Sequence, residues 1–226
     1  MQKFYRSLLI FIIGCIIFVL LPLLGWGLDD IKGYLANPAR LGFIIAVILL
    51  GAYASIKIPE IGKKKNVGKI KIERQHLAII FLQILSISLI IVAPYSDRRN
   101  ILIISLNEII RFIGLAFYII GFIVMHIVEV RLGKQFSIEV TIQEDHKLIT
   151  DGMFRFIRHP RYFGIIIFTL GLALIFKSWI AIILLLLIIF VLLWRIKDEE
   201  KMMYQEFGVR WEEYSKNTWR LITLLF

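Results

Sequence analysis

Cysteine is almost absent from this chain of 226 residues: Cys15 is its single example, and it lies inside the first long apolar run. One thiol builds neither a disulfide framework nor a thiolate metal cluster, so a stapled extracellular scaffold is excluded. Histidine is scarce at four residues, proline at five, and the 17 acidic residues are outnumbered by 27 Lys and Arg. No G-x-G-x-x-G element occurs, which removes the fingerprint of a soluble dinucleotide-binding domain. Charge as a whole is thin, at 19% of residues. What fills the chain is hydrocarbon: 59% of residues are hydrophobic and the mean hydropathy is +0.80, too apolar for an ordinary soluble domain. The composition reads as an all-α polytopic membrane protein.

A spanning helix needs roughly 20 apolar residues to cross about 30 Å of hydrocarbon. Four segments qualify, residues 8–24, 41–56, 77–93 and 112–130. The first exceeds the apolar core of a signal peptide and no small-x-small cleavage site follows before Trp26, so it reads as a retained helix. Residues 163–194 are apolar except for Lys177 and Ser178 near the middle. As one helix this stretch would be about 48 Å long, far more than a bilayer needs. A short helical hairpin fits better, with its tip at Lys177-Ser178-Trp179, where the lysine snorkels and the indole sits at an interface.

The net charge of +10 would suggest nucleic acid as the partner of a soluble protein. Placement argues otherwise. With four spans and a hairpin, only Lys32, Arg40, Arg98, Arg99, Arg111 and Lys177 fall on one side of the membrane; the other Lys and Arg residues fall on the opposite side. That bias predicts cytoplasmic amino and carboxyl termini, with the 58–75 linker and the 131–162 loop on the same side. The basic excess is then a topology signal, its partner is the anionic lipid headgroup, and nucleic acid is not expected. The division that follows is residues 1–130, helices with a basic linker at 58–75, and residues 131–226, where chemistry is expected. The second part comprises a loop at 131–162, a membrane hairpin at 163–194 and a tail helix within 195–226.

The loop contains an alternating stretch, 136–142, that suggests a short extended segment. Pro160 fits the first turn of the hairpin helix, with His159 at its cap. Arg155, Arg158 and Arg161 either satisfy topology and grip phosphates or belong to a site. In the tail, Arg195 and Glu199 are spaced to share a helix face, as a salt bridge or as substrate contacts. Glu200, Tyr204 and Phe207 continue that helix, Gly208 can end it, and an aromatic and basic segment with Trp211, Tyr214, Trp219 and Arg220 follows. His126 and Glu129 read as a hydrogen-bonded pair rather than metal ligands, His76 as interfacial and Cys15 as a small hydrophobe.

The ordered combination of Leu132-Gly133-Lys134-Gln135-Phe136-Ser137, then residues 148–155, then Arg158-His159-Pro160-Arg161-Tyr162-Phe163-Gly164, then Arg195, Glu199-Glu200, Phe207-Gly208 and Tyr214, resembles the isoprenylcysteine carboxyl methyltransferases. The resemblance covers about the last 100 residues. It implies an integral membrane methyltransferase using S-adenosyl-L-methionine, with cofactor contacts on His146, Lys147, Leu148, Ile149, Phe154, His159, Pro160, Arg161, Tyr162 and Glu199. Arg195 takes the family's substrate position, and no metal is implied. Two residues depart from the pattern: Phe154 stands where Tyr is frequent and Met153 where Pro is frequent.

The implied chemistry suits these residue types. A carboxylate is already ionised at neutral pH, so methyl transfer to it needs positioning and desolvation more than a general base. Arg195 would hold the carboxylate by a forked contact, Glu199 would face the cationic part of the cofactor, and the lipophilic substrate would enter from the bilayer. Rival readings are a phospholipid or other small-lipophile methyltransferase, an NADPH-using sterol reductase-like enzyme, and a non-enzymatic membrane scaffold.

Overall fold

In the computed structural model the described residues are 2–56, 68–71, 74–133, 141–143 and 148–222. Helix α1 (Gln2–Cys15) passes through a π-helical turn at Ile16–Leu20 into α2 (Leu21–Trp26), so that one apolar rod reaches from Phe4 to Trp26. Gly27, at φ 111°, ends it, a conformation that residues with a Cβ rarely adopt. The short α3 (Ile31–Ala36) is capped by Asp30, whose carboxylate accepts the Gly33 N–H at 3.0 Å. Then come α4 (Pro38–Ile56), a short strand β1 (Gly68–Lys71), α5 (Arg74–Arg99), α6 (Ile109–Leu132), a second strand β2 (Thr141–Gln143), α7 (Pro160–Ile175), α8 (Trp179–Phe207) and α9 (Val209–Lys216). The strands pair antiparallel, Gly68 opposite Gln143, which brings the basic linker onto the loop that precedes the hairpin. Of that linker, residues 58–67 and 72–73 lie outside the described residues, as do residues 136–140 of the alternating stretch.

Five helices are long and apolar enough to cross a membrane, with α7 as a shorter apolar helix. The chain is thus a multi-pass membrane protein. The expected hairpin is present, with its turn at Lys177 and with Ser178 accepting the Ala181 N–H at 3.2 Å, but its arms are unequal: 16 residues in α7 against 29 in α8. The reason is local. No Gly or Pro occurs between Trp179 and Phe207, and Arg195, Glu199 and Lys201 are good helix formers, so the helix runs on until Gly208 stops it at φ 52°. The tail helix expected to start at 195 is the end of α8 itself. Arg195 and Glu199 therefore stand on the same rigid rod as the membrane arm.

Lys177 does not snorkel. It is buried, and its Nζ donates to the Leu106 carbonyl at 2.6 Å and lies 3.1 Å from Glu108 Oε1. The segment before α6 covers the hairpin tip through backbone bonds, Ile104 N–H to the Lys177 carbonyl at 2.7 Å and Trp179 N–H to the Leu102 carbonyl at 2.9 Å. A lysine enclosed in this way must find its acceptors inside the protein. Trp179 is half-exposed, as expected of an interfacial indole.

Helices α6 and α7 pack backbone to backbone. A Cβ placed on Gly114 would stand 2.8 Å from the Gly171 carbonyl oxygen, and one on Gly121 would stand 2.7 Å from that of Gly164. Two glycines, two turns apart on each helix, let the rods approach as small residues do in membrane bundles. Between them Tyr118 meets Phe43 at 5.0 Å and Phe168 at 4.4 Å, and this cluster continues through Phe176 to Tyr34. The close pairing of α6 with α7 fixes where α7 begins, and the site is built at that end.

Candidate functional site

The site forms where the start of α7 meets the last turns of α8. His159 caps α7 and Pro160 occupies its first turn, where a missing N–H costs nothing. One turn on, the Tyr162 hydroxyl donates to Glu199 Oε1 and accepts from Arg195 Nε at 2.7 Å, while the same Nε lies 3.1 Å from Glu199 Oε1. The four-residue spacing on α8 therefore yields both a salt bridge and a shared partner on α7. Arg195 is only 5% exposed. The His159 ring stacks on Tyr162 at 5.6 Å, with Nδ1 3.5 Å from Glu199 Oε2 and Nε2 3.4 Å from Glu200 Oε1. Burial disfavours the charged imidazolium, but the two carboxylates outweigh it and hold the His159 pKa above its ordinary 6.5.

A second layer locks this group to the carboxyl-terminal segment. Arg158 donates to Glu200 Oε1 at 2.9 Å and to the carbonyls of Ser215 at 2.6 Å and Thr218 at 2.5 Å. Arg220 reaches Glu200 as well, through Nε at 3.1 Å and Nη2 at 2.9 Å. The backbones join too: Arg158 N–H donates to the Trp219 carbonyl at 2.8 Å, His159 N–H to the Arg220 carbonyl at 3.1 Å, and Trp219 N–H to the Phe156 carbonyl at 2.9 Å. Nε and Nη1 of Arg158 are thus committed to part-buried protein acceptors, which argues against a phosphate-gripping role. Arg161 turns the other way and pairs with Glu129 at 3.1 Å. That contact displaces the expected pairing of Glu129 with His126, which instead stacks on Phe122 and meets Tyr53 edge-on.

Beside this network lies an open cavity of about 540 Å³, within the range of small-molecule sites, lined among others by Leu148, Thr150, Arg155, Tyr214 and Thr218. The Tyr214 hydroxyl donates to the Phe154 carbonyl at 2.7 Å, fixing the wall formed by residues 152–155. Burial pushes the Tyr214 phenol up to about 12, so it remains a donor. Thr218 lines the cavity and also gives its carbonyl to Arg158, so one residue connects the cavity to the ion network.

Of the residues singled out from sequence, the structure brings together His159, Pro160, Tyr162, Arg195 and Glu199, and places Leu148 on the cavity, with Ile149 next to it in the chain and Phe154 in the turn beyond. His146 and Lys147 lie outside the described residues. Arg158, which the sequence leaves open between topology and a site, Glu200 and Tyr214, which enter only through the resemblance, and Arg220 all join the network around the site. Their signal was present only as proximity to the Arg-His-Pro element and to Glu199. Among the described residues no group of three or more His, Cys, Asp or Glu could hold a metal ion.

Known proteins resemble this part of the chain in sequence. The sequence model of the isoprenylcysteine carboxyl methyltransferase (ICMT) family matches residues 113–205. A probable protein-S-isoprenylcysteine O-methyltransferase of Oryza sativa subsp. indica is 32% identical over 114 residues, covering 47% of this chain and 58% of the relative. The protein-S-isoprenylcysteine O-methyltransferase of Schizosaccharomyces pombe is 34% identical over 94 residues, covering 38% of each chain. The A form of Arabidopsis thaliana is 29% identical over 107 residues, covering 46% of this chain and 54% of the relative. The chain thus spans about half the length of the relatives it matches. The matched region contains α7, its cap and the part of α8 that bears Arg195 and Glu199, and over it the chain is similar to the isoprenylcysteine carboxyl methyltransferase family.

Proposed function

We propose that the chain is an S-adenosyl-L-methionine-dependent carboxyl O-methyltransferase. Its acceptor is a lipophilic carboxylate of the prenylated-cysteine class, met at the membrane-cytosol interface. The observation that carries this reading is the buried Arg195, oriented through Nε by Tyr162 and Glu199 on a helix that continues into the membrane. A buried guanidinium oriented through its Nε suits the recognition of a planar carboxylate.

The residues present fit the cofactor. A cavity of about 540 Å³ with mixed polar and apolar walls adjoins the carboxylates of the ion network through Thr218 and Arg158. Leu148, Ile149, Phe154, His159, Pro160, Tyr162 and Glu199 would hold it, together with His146 and Lys147, whereas Arg161 is turned toward Glu129. When bound, S-adenosyl-L-methionine supplies an electrophilic methyl on a sulfonium. Every other requirement falls on the protein. Arg195 positions the acceptor carboxylate, which is ionised at neutral pH and needs no base. Glu199 and Glu200 place negative charge beside a cationic cofactor, and His159 holds both carboxylates in place. The excess of Lys and Arg on the site's side of the bundle supports a cytoplasmic face that meets anionic headgroups.

The test is transfer of labelled methyl to a panel holding a farnesylated cysteine analogue and membrane lipid extracts, beside calorimetric titration with S-adenosylhomocysteine and with NADPH. Methylation of the analogue with selective S-adenosylhomocysteine binding is expected. Binding of NADPH, labelling of an amine lipid alone, or no labelling at all would overturn the reading.

A further inference from the structure

The segment after α9 meets the site through its backbone and through one side chain, and the two attachments differ in purpose. Arg158 N–H donates to the Trp219 carbonyl, His159 N–H to the Arg220 carbonyl and Trp219 N–H to the Phe156 carbonyl, while Leu221 is buried in the same core as Tyr162 and Ile196. These contacts hold the segment whatever side chain stands at position 220. The Arg220 side chain is about a third exposed, and an ion pair that water reaches contributes little to stability. Its effect is local to Glu200.

Three cations share that carboxylate. Arg158 Nε and His159 Nε2 both approach Oε1, at 2.9 and 3.4 Å. Arg220 reaches both oxygens, Oε1 through Nε at 3.1 Å and Oε2 through Nη2 at 2.9 Å. A glutamate met at one oxygen can turn about its terminal bond, whereas a guanidinium fork fixes its plane. The plane matters because the His159 ring stands between two acids, with Nδ1 3.5 Å from Glu199 Oε2 and Nε2 facing Glu200. That Nε2 is buried and makes no hydrogen bond among the described residues, so the ring is steered by the placed charge of Glu200 rather than by a directed bond. His159 in turn stacks on Tyr162, which aligns Glu199 and Arg195. Resting on the cofactor reading given above, we propose that Arg220 is a positioning residue for S-adenosyl-L-methionine, acting through Glu200 to hold His159 at the cofactor side of the site. The segment after α9 thereby sets affinity for the cofactor and leaves that for the acceptor alone.

The experiment uses the full chain in lipid vesicles, with calorimetric titration of S-adenosylhomocysteine, initial rates against S-adenosyl-L-methionine and N-acetyl-S-farnesylcysteine, and the thermal midpoint. Arg220→Met should raise Kd for S-adenosylhomocysteine and KM for S-adenosyl-L-methionine about tenfold, while KM for the acceptor and the midpoint change little. Arg220→Lys keeps the charge without the fork and should give the same split, less strongly. In a His159→Gln background, Arg220→Met should weaken cofactor binding by no more than about twofold, because residues that act in series are not additive. An unchanged Kd, equal rises in both KM values, or a full tenfold loss in the His159→Gln background would overturn the proposal. Should Arg220→Met not fold, Arg220→Lys carries the comparison, and failure of both to fold would make Arg220 a brace and overturn it as well. The reading on which it rests fails differently: the unsubstituted chain would then bind no S-adenosylhomocysteine.

Discussion

The Tyr162 hydroxyl accepts from Nε of Arg195 at 2.7 Å, joining the first turn of α7 to the inner face of α8. The same hydroxyl donates to Glu199, so one oxygen aligns both charged residues. Tyr162→Phe removes that oxygen while keeping the ring that stacks on His159. Hydrogen bonds to charged groups contribute about 1.5–3 kcal/mol, so kcat/KM should fall about 10- to 100-fold. Initial rates with a farnesylated cysteine acceptor measure this, and S-adenosylhomocysteine binding reports that the site is still folded.

Arg195→Lys separates charge from shape. The ammonium retains the charge next to Glu199 but loses the planar fork. Methyl transfer should drop about 100-fold, as expected for a lost charge-assisted contact of about 3 kcal/mol. Near-normal turnover in a folded variant would show that Arg195 is not the carboxylate-holding residue.

His159 makes stability depend on pH. Its pKa in the fold lies above the ordinary 6.5, so its ion pairing with Glu199 and Glu200 contributes fully below that value and is lost as pH rises through the raised one. The unfolding midpoint of the native chain minus that of His159→Gln should therefore be greatest in mild acid and shrink toward alkaline pH. A difference that grows with pH would reverse the sign and exclude a charged imidazolium in the site.

Gly171→Ala tests the contact that positions α7. The new Cβ would stand 2.6 Å from the Gly114 carbonyl oxygen, backbone that cannot yield as a flexible side chain does. Overpacking of this kind costs about 1–3 kcal/mol. The thermal midpoint should fall, with activity lost in parallel, whereas Gly14→Ala, which meets nothing within 4 Å, should leave the midpoint unchanged.

Hydropathy alone revealed the helices and the hairpin, because lipid imposes a length rule on apolar segments. It could not show how far α8 continues, since Arg195 to Phe207 is polar yet contains no helix breaker, and polarity was taken for a boundary. At the site, the spacing of Arg195 and Glu199 made their pairing legible. Tyr162 belongs to the same sequence motif, but its hydroxyl contact with both crosses between two helices and has no spacing to betray it. The same limit explains Lys177, read as a snorkelling residue because nothing local announces that residues 102–108 fold over it. It also hid Asp97, an acid near the end of an apolar helix whose partners lie on α4 and α6.

Asp97 yields the strongest stability prediction. It accepts from Arg40 Nη1 at 2.8 Å and from Arg111 through both oxygens at 2.8 Å, and all three side chains are buried. Arg111 also donates to the Ile175 carbonyl at the end of α7, and Arg40 to the carbonyls of Gly33 and Tyr34, with its guanidinium 4.3 Å above the Trp26 ring. One carboxylate therefore ties α5 to α4, α6 and the hairpin at the end of the bundle opposite the site. Asp97→Asn preserves the volume but takes from Arg40 and Arg111 the carboxylate they share, leaving Arg111 with Glu108 alone. Breaking a buried pair in this way costs about 3–5 kcal/mol. The thermal midpoint in detergent should fall sharply, while KM in the surviving folded fraction should be unchanged, because none of these groups touches the site. The double variant Asp97→Asn with Arg40→Met, which removes one orphaned charge, should recover part of the loss. A midpoint unchanged in Asp97→Asn would mean that the backbone carbonyls, with Glu108 on Arg111, hold the two arginines without Asp97.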